Sequence, residues 1–351
     1  MKEYISFDSH KRYTWVEHQQ IATGHVKQYR VNHAPGAICQ ALQQCEPGTP
    51  VAIEATANWY WIVAEIEQAG AQPLLVNARK AKLMMGQINK TDRLDTAGMN
   101  RLQRNQTLPT VWIPPAGLRE LRELTRTRLV LVAQRTRWKN RISATLAKWG
   151  LPASAYSDPY GKGARQELNQ RLARLPEQTR WATERMLAQL DTLNEETGKF
   201  EKRLEELMEV TPAMQRLLSL PGVGVILAAT IALEIGDVER FATCERLASY
   251  AGTTPRVHAS GDRVRYGRTR PDVNRYLKWA FSEAANSVAV NAKRCPQRHV
   301  SQLYGRIRAR KGHATAVGAV ARHLAEAAFH VLHGQQEYRD PAAGKGSENG
   351  G

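Results

Sequence analysis

The chain has 351 residues, 42% of them hydrophobic and 24% charged, which excludes an intrinsically disordered protein and leaves room for at least one sizeable core. Fifty Lys+Arg against 33 Asp+Glu give a formal net charge of +17, which selects polyanionic partners, nucleic acid before an anionic membrane surface. The excess is internal: residues 1–110 carry a net +3, whereas residues 256–311 hold 14 basic and 3 acidic side chains, so a basic terminal tail on a neutral body is excluded.

Residues 3–76 alternate strand and helix. The pattern predicts strands over 3–8, 12–18, 26–31, 51–55 and 73–76, with helices over 34–44 and 59–68. A strand meander followed by helix, strand, helix, strand points to a three-layer α/β domain with a mixed sheet. Residues 78–105 read as helical, with Leu83, Met84, Ile88 and Leu94 spaced for one face. After Pro109, Pro114 and Pro115 comes a long helix over 118–149, then a Gly/Pro/Ser-rich loop over 150–163. Met186, Leu190, Leu193, Thr197, Phe200, Leu204 and Leu207 then step by fours and threes, a heptad seam. On pattern alone it serves equally as a hairpin with the preceding helix or as a dimerising coiled coil.

Thr211-Pro212 opens a further helical region. Leu220-Pro221-Gly222-Val223-Gly224, between two apolar helices, resembles the turn of a helix-hairpin-helix, in which backbone N–H groups approach a phosphate. An ordinary glycine turn between packed helices is the competing reading. Residues 253–270 are strand or loop with Arg263, Arg265 and Arg268 nearly alternating. Helices are expected over 272–289 and 313–333, and a disordered tail over 334–351.

Cys39, Cys45, Cys244 and Cys295 show no CxxC or Cys/His ligand spacing, which argues against zinc and a disulfide framework. The start has no apolar signal core, and the longest uncharged run, 217–233, is short for a spanning helix and contains Pro221, Gly222 and Gly224. The expectation is a cytoplasmic, nucleoid-associated protein with no membrane partner.

Two sets of residues carry chemistry. Asp8 and Glu54 end strands, and Asp92 and Asp95 share one helix face at i and i+3. A carboxylate at an apolar strand end costs desolvation unless compensated; oxygen ligands of this kind select Mg²⁺ or Mn²⁺, and two such ions suit phosphodiester chemistry. Taken singly each acid has a bland alternative, a turn cap or a surface ion pair; Glu3, Glu17, Glu65 and Glu67 are less well-placed competitors. The second set is Ser260-Gly261 amid Arg256, Arg263, Arg265 and Arg268, where a serine can approach a phosphate whose oxygens the arginines neutralise. Residue chemistry by itself favours a DNA-contacting serine without a covalent role, because no base is identified. Arg275 and Lys278, just downstream, are further nucleic-acid contacts by position and charge.

Asp8, Glu54 and Lys90-Thr91-Asp92-x-x-Asp95 resemble the acidic tetrad of the DEDD transposases of bacterial insertion sequences, which are similar to the Piv/MooV invertases. Leu220-Pro-Gly-Val-Gly, Ala251-Gly-Thr-Thr-Pro-Arg, Ser260-Gly, Arg265-Tyr266-Gly267 and Asn274-Arg275-Tyr276-Leu277 resemble that family's C-terminal domain in order and spacing. The resemblance covers about residues 3–333. It implies an α/β RuvC-like (RNase H-like) domain over 1–110, a long-helix and coiled-coil dimerisation region over 111–210, and a mostly helical C-terminal transposase domain over 211–333. It further implies a nucleophilic serine, Ser260, that links covalently to a DNA 5′ phosphate, and Asp8, Glu54, Asp92 and Asp95 as Mg²⁺ or Mn²⁺ ligands. The implied partners are donor and target DNA, a structured guide (bridge) RNA from the element's flank, and further copies of the chain, as dimer to tetramer. Pro271-Asp272-Val273 before Asn274, and Thr96 after Asp95, depart from the family pattern. The alternatives are a metal-dependent junction nuclease that uses water, and a basic nucleic-acid-binding scaffold with structural carboxylates.

Overall fold

A computed structural model describes residues 3–86, 91–209, 211–261, 263–269 and 272–342. Lys90, Asp262, Pro271 and the tail from 343 lie outside the described residues, as does the side chain of Arg268. The chain forms two compact units, Met1–Ala116 and Gly117–Gly351.

In the first unit, β1 (Glu3–Ser9), β2 (Tyr13–Gln20) and β3 (Val26–Asn32) form an antiparallel meander. β4 (Pro50–Glu54) and β5 (Gln72–Val76) add in parallel on the other side of β1, giving the order β3-β2-β1-β4-β5. α1 (Ala37–Leu42) and α2 (Trp59–Gln68) cover one face, α3 (Ala78–Met85) and α4 (Asp92–Arg104) the other. The strand period of two sorts the side chains. Ile5, Phe7, Val16, Val51 and Ile53 bury against Ile38, Leu42, Ile62, Val63 and Ile66. Each such side chain, fully buried, contributes about 1.5–3 kcal/mol of transfer free energy. The alternate residues of β1 face α4, where the Ser6 hydroxyl donates to the Thr96 carbonyl at 2.8 Å.

The predicted helix over 78–105 is two helices. α3 ends at Gly86, whose φ of +60° stops it, and α4 starts afresh at the Thr91 cap. Leu83, Met84 and Leu94, expected on one apolar face, are exposed, Ile88 lies outside the described residues, and Ala81, Met85, Met99 and Leu102 are buried instead.

In the second unit, α5 (Ala116–Lys148) and α7 (Glu177–Glu209) run antiparallel, as Arg128 bonds Glu201 and Arg135 lies 3.5 Å from Asn194. The short α6 (Arg165–Ala173) joins them, packing Leu168 and Leu172 against Ile142, Leu146 and Leu190. On α7 the fully buried positions, Thr183, Leu190, Thr197 and Leu204, recur every seven residues, and each buried threonine donates to the carbonyl four residues back at 2.7 Å. Helices of the same chain thus cover Met186, Leu190, Leu204 and Leu207 of the heptad stripe that the sequence offered equally to a second copy, and Leu193 and Phe200 stay half-buried.

Beyond it lie α8 (Pro212–Leu217), α9 (Val225–Ile235), α10 (Cys244–Tyr250), the hairpin β6 (Pro255–Ser260) and β7 (Arg263–Thr269), α11 (Arg275–Asn291), α12 (His299–Lys311) and α13 (His313–His333). Ala228, Ile231, Phe281, Ala284, Leu324 and Ala328 form the centre of their shared core, which Leu204 of α7 joins. The long-helix and C-terminal regions thus fold as one unit. Glu234 of α9, 0% exposed, accepts from Arg126 at 2.7 and 3.0 Å and from the Asn274 amide at 2.8 Å, tying α5, α9 and α11 together. Residues 334–342, expected within a disordered tail, lie against this unit. The Tyr338 N–H donates to the Ser219 hydroxyl and the Asp340 carboxylate accepts from the His299 N–H at the start of α12. Among the described residues, no helix is long and apolar enough to cross a membrane.

Candidate active site

Asp8 is the penultimate residue of β1 and only 8% exposed. It shares the α4 side of the sheet with Ser6, by strand alternation. Glu54 is the last residue of β4 and half-buried. The parallel pairing of Phe7 with Ile53 sets Asp8 and Glu54 side by side at the carboxyl ends of adjacent strands. Ala52 packs on the α3 and α4 side, so Glu54, two residues on, faces the same way as Asp8. Asp92 and Asp95 occupy the first turn of α4, which Thr91 caps by accepting from the Leu94 N–H. The helix dipole favours both charges there, without any ion.

Asp8, Asp92 and His10 form a close grouping, one ligand atom of each lying within 4.8 Å of the others. His10 Nε2 is 3.3 Å from Asp8 Oδ2 and 3.1 Å from Asp92 Oδ2. Tyr13 donates its hydroxyl to the same Asp92 oxygen at 3.1 Å. That hydrogen bond, ahead of burial, holds the Tyr13 phenol above its ordinary range. His10 and Tyr13 were missed in the sequence. The signal was Asp8-Ser9-His10, where i and i+2 at a strand end return to one face. Glu54, at the end of the adjacent strand, and Asp95, one turn along α4 from Asp92, are not part of this grouping. Loop geometry keeps the sheet end in place, as the Asn58 amide donates to the His10 carbonyl at 2.9 Å.

Two of the competing acids have structural partners. Glu65 caps α1, accepting from the N–H groups of Gly36, Ile38 and Cys39. Glu17, buried, accepts from Gln28 at 2.6 Å and Asn100 at 3.0 Å. Asp8 and Asp92 direct two carboxylates, with the His10 imidazole, to one small volume. Their spacing suits ligands at about 2.1 Å on a single divalent ion, so the residues present fit such a group.

In the second unit, Ser260 is the last residue of β6 and exposed, and it pairs with Arg263 across a two-residue turn that Gly261 enters with a φ of +56°. The pairs His258 with Arg265 and Ser260 with Arg263 share one face, and the pairs Val257 with Tyr266 and Ala259 with Val264 the other. Gly267 leaves room beside His258 and Arg256 on the serine face. The hairpin thus carries Ser260 among Arg256, Arg263 and Arg265 on one side. Its other side exposes apolar residues: Tyr266 is 72% exposed. Both faces being open, the two strands gain little from burial. Lys278 donates to the Thr269 hydroxyl at 2.6 Å, and Arg275 is exposed at the start of α11.

Gly222 has a packing explanation. Its φ is +78°, and a Cβ there would meet the Ala284 carbonyl oxygen at 2.3 Å, so glycine is required by close contact with α11. Gly224 is exposed and precedes α9, leaving it the more available of the two for a phosphate.

Two family models match the chain in the order these sites occur. A DEDD transposase domain matches residues 5–149, and the model described as transposase IS116/IS110/IS902 family matches residues 214–301. The chain belongs to this transposase family. The first match spans all four acids and the second spans Ser260 and Arg275, so the mixed five-stranded unit is the family's RuvC-like DEDD domain, a domain type that indicates a divalent metal ion. A probable family 20 transposase of Pseudomonas aeruginosa is 24% identical over 69% of this chain and 72% of its own length. The transposase of insertion sequence IS1328 from Yersinia enterocolitica is 26% identical over 64% of this chain and 66% of its own. An IS110 protein of Streptomyces coelicolor is 32% identical over 42% of this chain and 35% of its own.

Proposed function

We propose that this transposase cuts and rejoins DNA through a covalent serine intermediate, guided by a structured RNA. The observation that carries the reading is the convergence of Asp8 and Asp92, with His10, at the carboxyl end of the RuvC-like sheet. Asp8, Asp92, Glu54 and Asp95 would hold Mg²⁺ or Mn²⁺, which supplies Lewis-acid stabilisation of charge on a phosphate. Ser260 attacks phosphorus: the Oγ–P bond forms, the P–O3′ bond breaks, and the hydroxyl proton ends on the departing 3′ oxygen. Arg256, Arg263 and Arg265 neutralise the phosphoryl oxygens, which lowers the cost of the charge that builds there. Rejoining reverses the step, so no nucleotide is consumed, in keeping with the lack of a P-loop sequence pattern. Arg275, Lys278, Gly224 and the exposed Arg306, Arg308, Arg310 and Lys311 along α12 contact nucleic-acid backbone. The net +11 of residues 256–311 exceeds what one duplex contact needs and suits an RNA held by shape and backbone, with sequence choice left to base pairing. Cutting and rejoining two DNAs calls for more than one copy of the chain, a dimer or tetramer.

Denaturing gels of stalled reactions test the chemistry. Wild-type protein gives a shifted DNA band that survives denaturation, and Ser260→Ala binds DNA without it. An adduct that persists in Ser260→Ala removes the serine mechanism; cleavage with no adduct in wild type supports a hydrolytic nuclease. RNase treatment tests the guide, since full site-specific recombination by RNA-free protein would leave a protein-read recombinase.

A further inference from the structure

We propose that Glu3, His18 and Cys45 form a second metal site, suited to Zn²⁺, at the end of the sheet remote from the DEDD carboxylates. Glu3 opens β1, His18 lies on β2 and Cys45 follows α1. His18 pairs with Ile5 and so shares the α1 side of the sheet with Glu3, and Cys45 packs against the core on that side. One ligand atom of each residue lies within 4.8 Å of the other two. Glu3 and Asp8 are five positions apart on β1, about 17 Å of strand, so this is not the acidic site.

The geometry points to a cation and not to a simple ion pair. Glu3 Oε2 and His18 Nε2 are closed off from solvent and stand 3.3 Å apart, facing each other within ion-pair distance but outside hydrogen-bond geometry. Two ligands at about 2.0–2.1 Å from a tetrahedral ion stand about 3.4 Å apart. The other carboxylate oxygen of Glu3 is held by the Gln20 amide at 3.5 Å, which orients Oε2 toward His18. A buried contact without hydrogen-bond geometry offsets little of the desolvation cost of its two polar atoms, and bonds to a metal would offset more.

The donor set selects the metal. One thiolate, one imidazole and one carboxylate exclude Mg²⁺ and Ca²⁺, which take oxygen, and suit Zn²⁺ with a water in the fourth position. Thiolate and carboxylate together neutralise the ion, so the loaded site adds no net charge to a half-buried place. Binding forms the Zn–S bond, breaks the S–H bond and releases that proton to solvent. In the metal-free site burial, and then the Glu3 charge, push the thiol up to about 11. The ion would pin the first strand to its neighbour and to the end of α1, a structural staple on the catalytic sheet.

The test uses the full-length chain, stripped with chelator, in the Asp92→Asn background so that the acidic site does not compete. Co²⁺ alone is the probe. The expected result is a tetrahedral visible spectrum with a thiolate-to-cobalt band at saturation, unaffected by excess Mg²⁺, lost in Cys45→Ser and kept in Cys39→Ser. Peptide-level alkylation of the wild-type protein gives a reading independent of any variant's folding: Zn²⁺ slows labelling of Cys45 about tenfold or more and leaves Cys39 unchanged. A spectrum without a thiolate band, a band that survives Cys45→Ser, or equal labelling of Cys45 with and without Zn²⁺ overturns the site.

Discussion

Asp92→Asn separates a residue kept for chemistry from one kept for the fold. Neutralising the first residue of α4 forfeits about 0.5 kcal/mol of dipole stabilisation. The Tyr13 hydroxyl, 3.1 Å away, exchanges a charged acceptor for a neutral one, at a cost of about 1 kcal/mol. Against this, Asp8 loses a like charge within 4.8 Å. At an effective dielectric near 20 that repulsion is about 3 kcal/mol, which the exposure of Asp92 and the intervening His10 cut to about 1.5. The terms cancel to within about 1 kcal/mol, a melting shift of about 5 °C or less for the first unit. Metal reverses the comparison. A divalent ion at about 100 times its Kd adds about 2.7 kcal/mol to the wild type and little to the variant. Strand exchange should fall by a factor of about 10² to 10³ or more, while DNA retention on a filter stays near wild type. Scanning fluorimetry with and without Mn²⁺, beside a plasmid recombination assay, reads both quantities. Wild-type exchange in Asp92→Asn, or a metal-free loss of more than about 3 kcal/mol, refutes the reasoning, the latter because it would make Asp92 a structural anchor.

Other perturbations probe the second unit. Glu234→Gln leaves the Arg126 and Arg122 charges without their buried partner and should cost about 3 kcal/mol, seen as a melting point lower by about 10 °C. Gly222→Ala combines a φ of +78° with a 2.3 Å approach to the Ala284 oxygen; the expected loss is about 2 kcal/mol or more by urea titration, and a neutral result would free this turn for a phosphate role. Burial, then the neighbouring His299, lowers the His323 pKa against the opposing pull of Glu326 and Asp340. The folded state therefore prefers neutral His323, and its contribution to stability is complete above the unfolded value near 6.5 and is lost as pH falls through the lower folded value. His323→Leu should flatten the decline in melting temperature between about pH 7 and pH 5, and an unchanged slope would assign that decline to other groups.

The sequence by itself determined the elements and their order, because strand alternation and helical periodicity are local and each apolar run must find cover. It also marked Asp8, Glu54, Asp92 and Asp95, since a carboxylate at an apolar strand end or in a helix's first turn is conspicuous without knowing its neighbours. It carried Ser260 among arginines for the same reason. Where pattern and packing decouple, tertiary structure decided. The heptad stripe of α7 does not say which surface covers it; only folding assigned α5 and α6 of the same chain. The sheet covers the faces of α3 and α4 that carry Met85 and Met99, and leaves Leu83 and Leu94 exposed. That Gly222 must be glycine for packing, against the Ala284 carbonyl, is set by the approach of α11 and not by the turn's own sequence. His10 joined the acids because β1 returns through a tight hairpin. Cys45 has no ligand near it in the sequence, and meets His18 and Glu3 only when the sheet closes over α1. Contacts between residues distant in the chain are set by the sheet's order and register, and no local pattern encodes them.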